Sequence, residues 1–222
     1  MAKIVKDISS VLDNFNVVVF DFDGTLVNSE PAHMHGHIVM LSTLLGHEIP
    51  NFISVFKSKY IGKRDSLLFD EFIKDFNVKA DKDTMLKLKA EASLNKVLTD
   101  KDNMLTYIDE LKKCKANKRY YILSNNNKHF IDKVLASKGY ADMFDNIFAM
   151  ENMGITKDYF MEHIGEYIKD VTLDNLIVFE DSITQVQYLV ERGYHTVGVE
   201  NMFNVDKLNS AEYIIKDGFK GD

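Results

Sequence analysis

The feature that most constrains this chain is a short apolar run that ends in two aspartates. Residues 17–20 read Val-Val-Val-Phe, and Asp21-Phe-Asp23-Gly-Thr follows directly. A β-branched and aromatic run of this kind favours a buried central strand. Alternate side chains of a strand share a face, so Asp21 and Asp23 begin on the same side at its carboxyl end. In open parallel sheets, ligands bind at that end.

The spacing of the two aspartates favours metal-assisted chemistry. The carboxylates repel each other unless a cation neutralises them, and hard oxygen ligands favour Mg²⁺. One carboxylate can then attack phosphorus while the other moves a proton. The alternative is a strand that ends in a solvated, Asp-rich turn. The apolar run before the pair and the Gly-Thr after it argue against that alternative.

Strands and helices alternate in the second half of the chain. Besides the strand at 17–20, the sequence predicts strands at the following residues: 120–124, 146–149, 176–179, 196–199 and 213–215. Such alternation predicts an α/β fold, a Rossmann-like parallel sheet with helices on both faces. Helical spacing also predicts one helix from Ile4 to Leu12 and another from Tyr159 to Ile168.

Residues 29–99 show helical patterns and no convincing strand. Pro31 suits a first helical turn, Gly46 suits a helix end, and Asp81 can cap a further helix. We therefore expect an all-helical cap domain at residues 29–99, inserted into an α/β core formed by residues 1–28 and 100–222. Its place directly after the strand at 17–20 predicts that it covers the carboxyl edge of the sheet.

Three further polar groups lie at or just after predicted strand ends: Ser124-Asn125-Asn126, Lys157, and Glu180-Asp181-Ser182. The first group enters a helix amino terminus, whose free N–H groups can bind an anion, or else it only caps that helix. The lysine could neutralise a phosphate, or be a solvated surface side chain. The third group adds two carboxylates to the first pair, or forms an N-cap cluster.

In this order, the positions resemble the four motifs of the haloacid dehalogenase superfamily, and the resemblance covers nearly the whole chain. The resemblance implies that Asp21 is a nucleophile that forms an aspartyl-phosphate. Asp23 would be the general acid and then the base for hydrolysis. Ser124 and its neighbour Asn125 would bind the phosphoryl oxygens, and Lys157 would bridge the phosphate and the nucleophile.

The same resemblance implies a Mg²⁺ site. Asp181, with Glu180 and Asp21, would hold the ion, joined by the backbone carbonyl of Asp23. The chain departs from the family pattern at one point, because Asp158 stands where a proline usually follows the third-motif lysine. The alternatives for that lysine are Lys128 and Lys169.

The helical insertion resembles the cap of the β-phosphoglucomutase and phosphoglycolate phosphatase-like branch. His33 lies where mutases of that branch place a cap histidine. Arg64 falls in a segment that resembles their substrate loop, with one residue missing before it, and would grip the phosphate that is not transferred. Lys89 falls where a second cap cation would be.

These cap residues also have ordinary explanations. His33, His35 and His37 lie on one predicted helix, and a His-rich exposed helix is common. His33 and His37 could bind a transition metal, but no nearby carboxylate or thiolate completes a site. Arg64 can be a solvated or salt-bridged residue at the start of a helix.

Three functions remain open. The sequence favours a Mg²⁺-dependent phosphatase that hydrolyses a small phosphorylated metabolite. A β-phosphoglucomutase-type sugar phosphate mutase is the alternative. A non-catalytic binding protein on the same fold is the third, but such a protein could discard Asp21 or Asp23, and both are present.

Composition and charge limit which partners and which cellular compartment we expect for this chain. The chain has 222 residues and a net charge of −7, which argues against a nucleic-acid backbone or an anionic membrane as the main partner. No segment resembles a signal peptide or a membrane span. The single cysteine, Cys114, cannot form an intrachain disulfide, which is compatible with a reducing cytosol. We expect a cytoplasmic protein, monomeric by default.

Overall fold

The computed structural model describes residues 2–60 and 65–219, apart from the side chain of Ser66. The chain forms two compact units. Unit 1 comprises Met1–Asn28 and Lys101–Asp222, and unit 2 comprises Ser29–Asp100.

Unit 1 contains a seven-stranded sheet in which every strand pair is parallel. In chain order, the strands are β1 (Lys3–Ile4), β2 (Val17–Phe20), β3 (Arg119–Ser124), β4 (Asn146–Ala149), β5 (Leu176–Glu180), β6 (His195–Val199) and β7 (Tyr213–Ile215). Their order across the sheet is β1-β7-β6-β5-β2-β3-β4. The predicted α/β class with a Rossmann-like parallel sheet is therefore confirmed.

The helices of both units follow in chain order: α1 (Ile8–Leu12), α2 (Glu30–Leu45), α3 (Phe52–Lys59), α4 (Asp65–Phe76), α5 (Lys82–Thr99), α6 (Ile108–Cys114), α7 (Lys128–Lys138), α8 (Met150–Met153), α9 (Lys157–Glu162), α10 (Ile164–Tyr167) and α11 (Ile183–Glu191). Within the described part of the chain, no helix combines the length and apolarity needed to cross a bilayer.

The register of the central strands brings the predicted site residues to one edge. Phe20 of β2 is level with Phe179 of β5 and with Ile122 of β3. The ladder continues past the strand, since the Asp21 N–H donates to the Phe179 carbonyl at 2.9 Å. Asp21 thus lies beside Glu180, at the carboxyl end of the sheet.

Burial on both faces explains why β2 is uniformly apolar. All of its residues are buried, as are all those of β5. Val17 and Val19 pack in one cluster with Val178 of β5, Phe160 of α9 and Leu189 of α11. A strand covered on both sides needs apolar residues at every position, and not only at alternate ones.

Two predicted helices of unit 1 differ in the structure. Ile4 belongs to the edge strand β1, where its side chain is 48% exposed, and the helix begins only at Ile8. The Asp7 side chain accepts from the Ser9 N–H at 3.0 Å, which caps the helix there and leaves the residues before it extended. The predicted helix from 159 to 168 consists of α9 and α10, which meet at His163.

The described residues of unit 2 form four helices and their connecting loops, with a core of their own. That core includes buried side chains of all four helices: Met40, Leu41, Phe52, Phe56, Leu68, Phe72 and Met85. Gly36 lets α2 and α5 approach closely, because a Cβ there would lie 2.1 Å from Ser93 Oγ. Gly46 ends α2 and Asp81 caps α5. The interpretation of this unit as a cap stays a prediction.

Candidate active site

The candidate active site begins at the ends of β2 and β5. Asp21 follows β2 directly and is only 8% exposed, although it carries a carboxylate. Glu180 ends β5, and its Oε1 accepts from the backbone N–H groups of Asp181 and Ser182 at 3.2 and 3.0 Å. These bonds fix the Glu180 side chain over the start of α11.

Lys157 lies between these two carboxylates. Its Nζ is 2.7 Å from Asp21 Oδ1 and 3.0 Å from Glu180 Oε2, and the residue is 8% exposed. Of the alternatives, Lys128 is exposed and pairs with Asp132, and Lys169 is exposed. Among the three lysines considered from the sequence, Lys157 is therefore the one the fold brings to Asp21.

The start of α9 explains how Lys157 reaches this place without a proline after it. Thr156 caps the helix by accepting from the Tyr159 N–H at 3.1 Å. Asp158 is an acidic residue in the first turn, where the helix dipole favours negative charge. Its Oδ1 also accepts from Gln185 Nε2 at 3.2 Å. The local hydrogen bonds thus define the helix start in place of a proline ring.

Three carboxylates cluster here, and two of them, Asp21 and Glu180, contact the Lys157 ammonium group. Asp21, Glu180 and Asp181 each offer an oxygen, and these oxygens lie within 4.8 Å of one another. Burial raises the pKa of Asp21 well above its usual range, and the charge of Glu180 adds to the rise, while Lys157 opposes it. Burial works to lower the pKa of Lys157, but the charges of Asp21 and Glu180 outweigh it, so that pKa is raised.

This cluster fits a hard divalent cation. It offers only oxygen ligands, and its three carboxylates exceed the single ammonium in charge. No second group of three His, Cys, Asp or Glu ligands of this kind occurs among residues 2–60 and 65–219. The carboxylate of Asp23 lies outside the group and accepts from Asn126 Nδ2 at 3.0 Å.

The residues after β3 connect to Asp23. Ser124 is buried, and its Oγ accepts from the Asn126 N–H at 3.1 Å. The cap of α7 is Asn127, which accepts from the Phe130 N–H at 2.8 Å, so the alternative that the group Ser124-Asn125-Asn126 caps this helix was wrong. The Asn126 side chain instead donates to Asp23 and accepts from the Asn127 N–H at 2.8 Å. Asn125, which lies between Ser124 and Asn126, is exposed.

The Asp181 side chain is held by residues from two loops. Thr25 Oγ1 donates to Asp181 Oδ1 at 3.2 Å, and Asn201 Nδ2 donates to Asp181 Oδ2 at 2.8 Å. Asn204 Nδ2 donates to the Asp181 backbone carbonyl at 2.8 Å. Sequence reasoning missed both asparagines. The signal that could have found them is the run Glu-Asn-Met-Phe-Asn directly after the β6 strand.

The predicted substrate residues of unit 2 lie in a charged cluster of their own. Lys89 Nζ is 2.9 Å from Asp65 Oδ2 and 3.2 Å from His33 Nδ1. His37 Nε2 is 3.4 Å from Asp65 Oδ1. The expectation of an exposed histidine face without a nearby carboxylate was wrong for His37, which is buried beside Asp65. Arg64 lies outside the described residues.

Fold and site together define a class: an α/β protein with a cluster of carboxylates, suited to a metal ion, at the carboxyl edge of a parallel sheet. The chain belongs to the haloacid dehalogenase-like hydrolase family, whose model matches residues 18–199. The superfamily resemblance seen in the sequence is therefore confirmed.

Solved structures show the same fold at low sequence identity. A candidate β-phosphoglucomutase from Thermotoga maritima is 16% identical, with a TM-score of 0.74, and the match covers 91% of this chain and 94% of that one. YfnB from Bacillus subtilis, described bound to magnesium, is 18% identical over the same shares, with a TM-score of 0.73. A predicted phosphoglycolate phosphatase from Haemophilus somnus is 15% identical, also over 91% and 94%, with a TM-score of 0.70.

Proposed function

We propose that this protein is a Mg²⁺-dependent phosphatase that hydrolyses a small phosphorylated metabolite. The observation that carries the proposal is the buried Asp21 carboxylate, held 2.7 Å from Lys157 and within reach of Asp181. Burying a carboxylate beside other carboxylates costs free energy, and such groups are found most often at functional sites. Nothing in the fold of β2 requires a charge at that position.

The first step transfers the phosphoryl group to Asp21. Its free oxygen attacks phosphorus, and the bond between phosphorus and the ester oxygen breaks. Lys157 holds the other oxygen, which fixes the direction of attack and offsets charge on the phosphate. The departing alkoxide takes a proton from Asp23, which acts as general acid.

The second step returns the enzyme to its starting state. Water attacks the phosphorus of the aspartyl-phosphate, and Asp23, now a carboxylate, takes the proton of that water. The bond between phosphorus and Asp21 breaks, and inorganic phosphate leaves. The Asn126 amide on Asp23 Oδ2 supports this role, because it orients the carboxylate without supplying a competing charge.

Asp21, Glu180 and Asp181 are the residues that would hold Mg²⁺, together with the backbone carbonyl of Asp23. The bound ion would supply positive charge that lets an anionic nucleophile approach an anionic phosphate. Its presence in the structure of YfnB supports the choice of metal. Ser124 and Asn125 would contribute hydrogen bonds to the phosphoryl oxygens.

A sugar phosphate mutase is the second candidate, favoured by the cluster in unit 2. His33 and Lys89 are the two described residues of the mutase pattern. The distance from His33 Nδ1 to Lys89 Nζ is 3.2 Å. A mutase would need β-glucose 1-phosphate together with a bisphosphate primer and would release little inorganic phosphate. Arg64→Ala would abolish such a mutase yet leave hydrolysis of small esters largely intact.

The test is a phosphate-release screen with Mg²⁺ over sugar phosphates, phosphoglycolate and nucleotides. Wild type should release phosphate from several small esters and lose the activity on chelation. Asp21→Asn removes the attacking charge and should lower the rate by about three orders of magnitude or more. Asp132→Asn, the same change at an exposed ion pair of α7, is the matched control and should leave the rate near wild type.

Two results would contradict the phosphatase. Unchanged phosphate release by Asp21→Asn would show that Asp21 is not the nucleophile, and the proposed mechanism would then be wrong. Primer-dependent isomerisation of a sugar phosphate without net phosphate release would favour the mutase instead. We also expect the protein to be cytoplasmic and monomeric, and its natural substrate to be a small phosphorylated metabolite.

A further inference from the structure

The loop after β6 places two buried asparagines against Asp181. Gly198 of β6 is level with Glu180 of β5, so this loop starts one strand away from Asp181. Asn201 is 3% exposed and Asn204 is 4% exposed. Buried amides need hydrogen-bond partners, and each of these two amides has Asp181 as one of its partners.

Asn201 joins the first and the fourth motif. Its Nδ2 donates to Asp181 Oδ2 at 2.8 Å and to the Gly24 carbonyl at 3.2 Å. Its Oδ1 accepts from the Phe203 N–H at 3.0 Å, which fixes the orientation of the amide. The NH₂ group therefore faces Asp181, because the reverse orientation would leave the Phe203 N–H without its acceptor.

Asn204 holds Asn201 in place. The Asn201 N–H donates to Asn204 Oδ1 at 2.8 Å, and Asn204 Nδ2 donates to the carbonyls of Asp181 and Val199 at 2.8 and 3.0 Å. The loop is thus tied both to the end of β6 and to the backbone of Asp181. The donor on the carboxylate is consequently part of a connected network and not a loose surface contact.

We propose that Asn201 is a positioning residue that orients the Asp181 carboxylate for a divalent cation, an inference that rests on the proposed function. Thr25 gives one hydrogen bond to Oδ1 and Asn201 gives one to Oδ2. A carboxylate oxygen carries two lone pairs, so one hydrogen-bond donor on an oxygen does not by itself exclude a metal ion. Both donors are neutral, so they fix the rotation of the carboxylate and leave its full negative charge to the ion.

The geometry predicts a specific defect when the donor is removed. Asn201→Leu keeps a similar volume but leaves Asp181 Oδ2 and the Gly24 carbonyl without their shared donor. Outer residues that orient metal ligands typically change metal affinity by about 10- to 100-fold. We expect weakening of that size for Mg²⁺. Asn201→Ala opens room for a water that can replace part of the donor, so its effect on Mg²⁺ affinity should be smaller but still more than about twofold.

The experiment is calorimetric titration of the metal-free full-length protein with Mg²⁺, with thermal unfolding of the metal-free variants recorded alongside. Asn209→Leu is the matched control, because Asn209 is exposed in the same segment and its amide donates to the Asp206 carbonyl. The control should bind Mg²⁺ like wild type. Asn201→Leu should regain most of its phosphate release at high Mg²⁺ with little change in the KM for the ester.

The outcomes separate this inference from the proposed function. If wild type binds no Mg²⁺, the proposed function fails. If wild type binds Mg²⁺ and both Asn201 variants bind within about twofold of it, the positioning role is refuted while the proposed function stands. If Asn201→Leu does not fold, the result for Asn201→Ala decides, and affinity within about twofold of wild type again refutes the role.

Discussion

Gly24 of the first motif packs tightly against Asp181 of the fourth motif. Its φ is +76°, and a Cβ built there would lie 2.4 Å from Asp181 Oδ2 and 3.1 Å from Asn201 Nδ2. Both the left-handed backbone and the lack of space require glycine. The Asp-x-Asp-Gly pattern is therefore explained by packing against Asp181 as well as by the turn itself.

Replacing this glycine should damage the site more than it strains the backbone. Gly46 has a similar φ of +75° but no atom within 4 Å of a built Cβ, so Gly46→Ala measures the backbone strain alone. We expect about 1–2 kcal/mol lower free energy of unfolding for Gly46→Ala. Gly24→Ala should lose about 1–3 kcal/mol more, because Asp181 must move. Urea unfolding measures both.

Phosphate release completes this comparison. Gly24→Ala should lose most of its activity, and Gly46→Ala should keep it. Equal stability and equal activity of the two variants would show that Asp181 tolerates the extra methyl group, and the close packing would then have no functional role.

Lys157 gives a second prediction for a single residue. Its ammonium opposes the rise in the pKa of Asp21, so Lys157→Met should raise that pKa further and remove the group that fixes the nucleophile. Phosphate release should fall about 100-fold or more. Lys128→Met, a lysine paired only with exposed Asp132, should behave like wild type in the same assay. Comparable rates for the two variants would contradict a catalytic role for Lys157.

The sequence alone predicts that candidate site residues which follow a strand or begin a helix come together at one edge of the sheet. Asp21, Ser124 and Glu180 lie at ends of buried apolar runs, and parallel strands bring such ends together. Asn201 could not be predicted, because its partners, Asp181 and Gly24, are 20 and 177 residues away in the chain. The sequence does not show what two asparagines in a loop contact, because their position depends on the register of β6.

Among the helices, α2, α4 and α5 share the ion cluster of unit 2, in which His37 and Lys89 are buried and Asp65 is half-buried. Burial lowers the pKa of His37 of α2, and the charge of Lys89 adds to this, while the hydrogen bond to Asp65 opposes it. Burial works to raise the pKa of Asp65 of α4, but His37 and Lys89 outweigh it and hold that pKa below its usual range. The two groups therefore affect stability in different pH windows.

The prediction at this scale concerns acid sensitivity. The folded-state pKa of His37 lies below its unfolded value of about 6.5, so unfolding takes up a proton and stability falls as pH drops below that value. Asp65 adds a loss of stability only below about pH 4. His37→Leu should therefore flatten the fall between pH 7 and pH 5.

Thermal unfolding followed by circular dichroism at pH 7 and pH 5 measures this effect. His47→Leu, at an exposed histidine, is the control and should keep the pH dependence of wild type. An unaltered pH dependence in His37→Leu would show that His37 does not remain neutral in the folded protein.

The strands that contain buried residues were predictable, including the short strands β4 and β7, but the exposed edge strand β1 was not. β2 has no polar position and β5 has none before Glu180, so any interpretation other than a buried strand would leave apolar surface in water. β1 has two exposed residues, and its pairing with β7 depends on a segment more than two hundred residues later in the chain. Spacing alone assigns Ile4 to a helix, because apolar spacing does not show that Asp7 caps the helix after it.

At the scale of the whole molecule, the proposed metal ligands belong to unit 1 alone. Mg²⁺ should therefore stabilise unit 1, by about 2.7 kcal/mol at a concentration one hundred times its Kd. Hydrogen exchange with and without Mg²⁺ should show slower exchange for buried amides of β2 and β5. The amides of α2 and α5 should change much less.

The Asp21→Asn variant is the control for this measurement, since it lacks one of the proposed ligands. Equal protection of both units by Mg²⁺, or protection that persists in the variant, would place the binding site elsewhere.

The connection between the units has a consequence for how this chain can vary. The Asn28 N–H donates to the Asn103 carbonyl at 2.7 Å, and the Leu105 N–H donates to the Leu26 carbonyl at 2.9 Å. The points where the chain leaves and rejoins the sheet-bearing unit are thus neighbours joined by peptide hydrogen bonds. A segment with adjoining ends can be lengthened, shortened or exchanged for another without rethreading the remainder, which makes residues 29–100 a natural place for new specificity to evolve.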